Sequence, residues 1–190
     1  MLVVQEVNRV KGKAMEQFES MTQELWNVAA ATGVQAAWFF EVSHGTGPSY
    51  CVVTGMRLPD WAAWESFARA VAFGDLSGLT EALDATRYDS ESSVLEILSE
   101  VPEPSEEAAA SGLWVQRLID PDAGGEAAVG QPGIVMRGCL GARPDGITVL
   151  TKETPSAVLD ILTGETGSNR VLAKAESTWV LRPSSWSPLR

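Results

Sequence analysis

Trp61 and Trp64 fall three residues apart in "LPDWAAWESFARAV" (58–71). At that spacing both rings stand on nearly one side of a helix. There they either pack as core, the usual use of an aromatic stripe, or line a pocket for a flat molecule. Glu6 and Asn8 sit in "LVVQEVNRV" (2–10), an otherwise apolar strand. A carboxylate and an amide in such a strand need partners if buried; the plainer alternative is a solvent-exposed strand end. His44 is the only histidine of the chain. A histidine side chain is a candidate general base by type. A lone histidine in the glycine-rich turn "SHGTGP" is more often just solvent-facing.

Other chemistries lack their residues. One histidine, two separated cysteines and scattered carboxylates give no metal-ligand spacing. "GTGPS" lacks the lysine and helix start of a phosphate loop, and "GDLSG" displaces the serine of a nucleophile elbow. Neither a metal nor a cofactor is therefore expected. The net charge of −11 disfavours nucleic acid, which needs a basic face, and disfavours an anionic membrane surface. No apolar run approaches the roughly 20 residues of a membrane span, and the first residues do not read as a signal peptide. Cys51 and Cys139 are too few for a disulfide framework, so a cytoplasmic, reducing setting is expected, with a single bridge as the alternative.

The elements that would position these residues follow from periodicity. Residues 2–10 read as a strand. Met15, Phe18, Met21, Leu25 and Val28 recur at helical spacing, and Gly33 supplies a stop, so 14–32 is an amphipathic helix. Residues 34–42 and 49–57 form a hairpin. The tryptophan helix and further helical sequence lead to a strand at 92–100. The order β-α-β-β-α-β is a ferredoxin-like unit over residues 1–100. Residues 101–112 have the composition of a linker. Over 113–190 the pattern returns in shortened form, with strands at 113–119, 133–142, 145–153 and within 173–186. A short helix at 154–164 starts with Thr154 as cap and Pro155 at its first position. The stretch "DPDAGGEAAVGQPG" is too rich in glycine and proline for the missing first helix. The fold class is thus α+β: two ferredoxin-like units in one chain, the second degenerate.

A four-stranded sheet with helices on one face leaves the other face to be covered, and two such sheets facing each other enclose a space. With "VVQEVNRVKGKAMEQFESM" and "LPDWAAWESF", the chain resembles the dimeric α/β-barrel superfamily, most strongly over 2–98 and less over 113–182. That group includes antibiotic-biosynthesis monooxygenases, haem-degrading monooxygenases, NIPSNAP-like, EthD-like and chlorite dismutase proteins. In most members two chains complete the barrel, whereas a tandem copy would close it within a monomer as a pseudo-dimer. A homodimer through exposed edges is the alternative.

The resemblance implies roles. In similar monooxygenases an asparagine on the first strand faces the cavity, and haem-degrading members add a tryptophan after strand three and a ligating histidine. Asn8 and Trp61 or Trp64 match the first two; the histidine is missing, which argues against haem degradation. The long helix is expected to cover the face with Val3 and Val7, turning Leu2, Val4, Glu6 and Asn8 toward the barrel. On strand two, Trp38, Phe40 and Val42 share one face and Ala37, Phe39 and Glu41 the other; alternation leaves open which looks inward. The implied function is a small-molecule-binding barrel for an aromatic or apolar molecule. As an enzyme it would be a cofactor-free monooxygenase for a polyketide-like aromatic. Its candidate catalytic residues are Asn8, Glu6 and His44, with Trp38, Phe40, Trp61 and Trp64 binding substrate. The alternatives are a non-catalytic NIPSNAP-like or stress-associated barrel, and a second half that plugs the first and leaves no cavity.

Overall fold

A computed structural model describes residues 1–45, 50–102, 112–120, 132–163 and 175–187, with positions 106, 110, 129 and 189. Most of the expected linker, and most of the stretch 120–133 that replaces a helix, lie outside the described residues.

Eight strands form one closed antiparallel barrel. They are β1 (Leu2–Val10), β2 (Ala36–Gly45), β3 (Cys51–Leu58), β4 (Arg87–Val101), β5 (Leu113–Ile119), β6 (Gly133–Gly141), β7 (Ile147–Glu153) and β8 (Ser177–Pro183). Among the described residues the helices are α1 (Met15–Ala29), α2 (Trp61–Phe73), α3 (Ser77–Thr86) and α4 (Pro155–Thr163). Around the barrel the order is β1-β3-β2-β8-β5-β7-β6-β4. Each half therefore contributes a sheet in the ferredoxin-like order, β4-β1-β3-β2 and β8-β5-β7-β6. The halves join at β2–β8 and β4–β6, so no sheet edge is left open. An arginine–glutamate pair spans each seam, Arg182 to Glu41 and Arg137 to Glu96. Because every pairing is antiparallel, β1 and β5, on opposite walls, run the same way.

Local sequence explains the helices. Phe18, Thr22, Leu25, Trp26 and Ala29 make the buried stripe of α1, and Val28 lies outside it. The helix tightens into a 3₁₀ turn at 30–32 and ends at Gly33, whose φ of 97° suits glycine. Asp60 caps α2 by accepting from the Ala63 N–H at 2.9 Å. Thr154 does the same for α4 through the Ala157 N–H at 3.2 Å. After β8, Trp186 packs edge-on against Trp26 and donates to Glu19 at 3.0 Å, tying the C-terminal segment to α1.

There are two principal cores. Leu2, Val4, Phe39, Val52 and Met56 pack outward beneath α1, α2 and α3 with Phe18, Leu25 and Phe67. Val3, Trp38, Phe40, Val53, Trp114 and Leu181 pack inside the barrel. This reverses the expected faces of β1. Val3 and Val7 look into the lumen, while Leu2 and Val4 look toward the helices. Both faces of "LVVQEV" are apolar, so alternation could not orient it; Arg87, arriving at the α3–β4 junction, fixes Glu6 and Asn8 on the helix side. On β2 the question left open resolves with Trp38, Phe40 and Val42 inward.

Candidate functional site

Between the first sheet and helices α2 and α3 lies a cavity of about 340 Å³, within the usual ligand-pocket range of roughly 300–1,000 Å³. Val4, Leu25, Met56, Trp64, Phe67 and Leu83 supply apolar wall; Glu6, Thr80, Arg87 and Ser92 supply polar groups.

Arg87 organises the polar end. It is the first residue of β4, so its stem leaves the sheet where α3 ends. Its Nη1 donates to Glu6 Oε2 at 3.2 Å, to Ser90 Oγ at 3.0 Å and to Asn8 Oδ1. Its other edge, Nε and Nη2, grips Asp84 at 2.8 and 2.5 Å. A guanidinium fork held on both edges is rigid, as a lysine would not be. Arg87 is 15% exposed and Glu6 31% exposed, so both reach the cavity without being sealed from water. Asn8 is fully buried, and its Nδ2 has no hydrogen-bond partner among the described residues. Asn8 does not line the cavity; it holds Arg87, which does.

The other expected site residues separate. Trp64 lines this cavity, whereas Trp61, 5.6 Å away ring to ring, is half exposed at the start of α2. Trp38 and Phe40 are buried in the barrel interior. His44 is exposed at the end of β2, beyond a bulge after Val42 and two strands from β1. The structure therefore brings Glu6, Asn8 and Trp64 into one neighbourhood and leaves His44, Trp61, Trp38 and Phe40 out of it.

Sequence reasoning missed Arg87, Gln5 and Gln116. Gln5 and Gln116 are buried in the lumen and hydrogen-bonded to each other at 3.1 Å. The signal was present: each is the fourth residue of a Leu-x-Val-Gln tetrapeptide, "LVVQ" and "LWVQ", opening the first strand of its half. Arg87 carried none, because its role depends on where α3 delivers it. Burial raises the thiol of Cys51 to about 11, so it stays protonated and unreactive near neutral pH. Cys51 and Cys139 are both free thiols. Among the described residues no three metal-ligating side chains gather, and no helix is long and apolar enough to cross a membrane.

No protein-family model and no curated protein matches the chain. Solved structures do. An anthrone oxidase-like protein is 12% identical, aligned over 96% of this chain and 91% of that one, with a TM-score of 0.58. A protein provisionally named a monooxygenase, from Lactobacillus acidophilus NCFM, is 9% identical over 96% and 92%, with a TM-score of 0.54. A NIPSNAP family protein from Agrobacterium tumefaciens str. C58 is 15% identical over 54% of this chain and 93% of its own, with a TM-score of 0.40. The first two share the barrel over nearly the whole chain, so the expected α+β barrel fold stands.

Proposed function

We propose that the helix-side cavity binds a small aromatic molecule and that the protein oxidises it with molecular oxygen without a cofactor. One observation carries this reading: Glu6 and Arg87 stand together, braced by Asn8, at the polar end of an apolar cavity walled by Trp64. That is an acid–base pair beside a hydrophobic seat. The likeness in fold to an anthrone oxidase-like protein supports the choice of substrate class.

The chemistry suits a ring system with an acidic methylene conjugated to a carbonyl. Glu6 takes a methylene proton, and the Arg87 cation steadies the negative charge on the conjugated oxygen. The carbanion is the reductant. It passes electrons to oxygen; one oxygen atom stays as a new carbonyl, and the other leaves as water with both methylene hydrogens. Trp64, Phe67 and Leu83 exclude bulk water and hold the ring flat. His44 has no part in this scheme.

The two halves are read as a tandem duplication, residues 1–100 and 113–190 joined by 101–112, working as a monomer that needs no second chain to close its barrel. Two free thiols fit a cytoplasmic setting. A second reading, a binder without turnover, is favoured by the ion pair that already engages Glu6.

Anthrone under air tests both. Anthraquinone formation is expected from the wild type and a loss of at least tenfold from Glu6→Gln. Thermal stabilisation by anthrone with no anthraquinone above the uncatalysed rate selects the binder. Neither stabilisation nor product rejects the site.

A further inference from the structure

The barrel lumen holds a packed apolar cluster and, next to it, a hollow. Trp38, Trp114, Leu150 and Leu181 belong to the cluster. Beside them lies a separate cavity of about 190 Å³, walled by Gln5, Val7, Leu95, Gln116, Leu118 and Trp179. It shares no polar group with the Glu6–Arg87 site except Ser93, which stands on β4 between them.

Its polar character is one-sided. Gln116 is 2% exposed; its Oε1 accepts from Gln5 Nε2, and its Nε2 meets no acceptor among the described residues. Trp179, directly opposite Gln116 across the β5–β8 ladder, has a buried indole N–H that also meets none among the described residues. Buried donors left unmet are costly, so the lumen calls for an acceptor.

The surroundings narrow the acceptor. Arg143, at the rim, is already paired with Glu176, and Glu91 adds a carboxylate to the wall. Among the residues that line the cavity, a carboxylate ligand would meet no free cation and one like charge. A neutral carbonyl meets two neutral donors. On size, an apolar cavity of roughly 150 Å³ holds benzene, so this one holds a single ring with a short substituent.

We propose that the lumen is a second ligand site, taking a small neutral aryl ketone or aldehyde. Its carbonyl oxygen accepts from Gln116 Nε2 and Trp179 Nε1, and its ring lies among Val7, Leu95 and Leu118. Because this site is on the opposite face of the sheet from Glu6 and Arg87, it stands whether or not the helix-side cavity is catalytic.

The test uses two probes of one shape: acetophenone, and α-methylstyrene, in which a methylene group replaces the carbonyl oxygen. Indole ¹⁵N–¹H spectra of the labelled protein follow each titration, with the Trp179 signal assigned from Trp179→Phe. Acetophenone is expected to bind about five- to tenfold more tightly and to shift the Trp179 signal while leaving that of Trp64 in place. In Gln5→Leu/Gln116→Leu the preference should fall to about twofold or less. Leu118→Phe, which fills the cavity without touching a donor, should abolish both titrations. A Trp179 signal indifferent to acetophenone, equal affinities in the wild type, an unchanged preference in the double variant, or binding that survives Leu118→Phe each overturns the proposal. The first of these is also what a cavity occupied by water alone gives.

Discussion

Gln5 Nε2 donates to Gln116 Oε1 at 3.1 Å across the barrel lumen, from the same position on the first strand of each half. The pair joins opposite walls that no backbone ladder links. Removing one partner strands a buried amide, whereas replacing both removes the demand. Gln5→Leu alone is expected to cost about 1–3 kcal/mol in urea unfolding, and Gln5→Leu/Gln116→Leu to regain most of it. Additive losses in the two singles and the double would show that the bond is not the link between the walls.

Gly55 faces Trp38 across the β2–β3 ladder, and a Cβ on Gly55 would lie 2.1–2.4 Å from the indole atoms Cε2, Cζ2 and Nε1. The indole is also held by Arg57, whose guanidinium lies 5.8 Å from the ring centre. It has no free direction in a packed interior. Gly55→Ala should therefore lose about 1–3 kcal/mol, the range for overpacking, with the denaturant slope unchanged. Gly78, which meets nothing within 4 Å, is the control, and Gly78→Ala should not destabilise.

These two cases show why the fold was legible and the site only partly so. Strand order followed from spacing: "LWVQRLI" gave β5 residue for residue, and Pro155 and Thr154 marked α4. Facing failed on β1 because Val3 and Val4 are equally apolar, so period-two alternation carried no sign. β4 extends five residues earlier than its apolar stretch because "RYDSE" is polar, although Asn8 and Arg9 pair there with Ser90 and Asp89. Asn8 and Glu6 stood out by type, but Arg87, which gives them their meaning, is an ordinary arginine until α3 places it.

Cys51 makes stability depend on pH in the alkaline range. Its thiol is buried, which is the main reason its pKa rises from 9.0 to about 11; nearby Arg9 works against the rise and Glu91 adds to it. Below pH 9 the thiol is protonated in both folded and unfolded chains. Between pH 9 and 11 the unfolded chain gives up the proton and the folded one keeps it, so stability falls as pH rises. The full span is about 2–3 kcal/mol at 1.36 kcal/mol per pH unit. Unfolding free energies of wild type and Cys51→Val should run parallel below pH 9 and diverge above it, the variant losing less. Parallel curves up to pH 11 would contradict the burial argument.

Arg117 is a buried cation on the outer face of β5. Desolvation pulls its pKa down, and Glu153, 3.4 Å away, opposes that. Thr151 links them, accepting from Arg117 Nη1 at 3.0 Å and donating to Glu153 at 2.8 Å. Stripping the carboxylate leaves a buried charge. Glu153→Leu is expected to cost about 3 kcal/mol, while Arg117→Met/Glu153→Leu should return to within about 1–2 kcal/mol of wild type. Calorimetric melting of the three variants at one pH decides it; a double variant worse than Glu153→Leu would mean that the pair itself is net stabilising.

Asn8 is a positioning residue in the proposed site, and its effect should travel through Arg87. Its Oδ1 accepts from the same Nη1 that donates to Glu6 and Ser90. Asn8→Leu keeps the volume but removes the acceptor. It should destabilise the fold by about 1–3 kcal/mol and weaken anthrone binding roughly fivefold, the worth of one hydrogen bond. Asn8→Asp restores an acceptor for Arg87 and should recover affinity to within about twofold, although it brings a second carboxylate near Glu6. Isothermal titration of anthrone into the three proteins, with the thermal midpoint of each recorded alongside, separates the two roles. If Asn8→Leu loses stability but binds anthrone as the wild type does, Asn8 serves the fold alone. If Asn8→Asp fails to restore what Asn8→Leu loses, the amide acts through its unpartnered Nδ2 and not through Arg87.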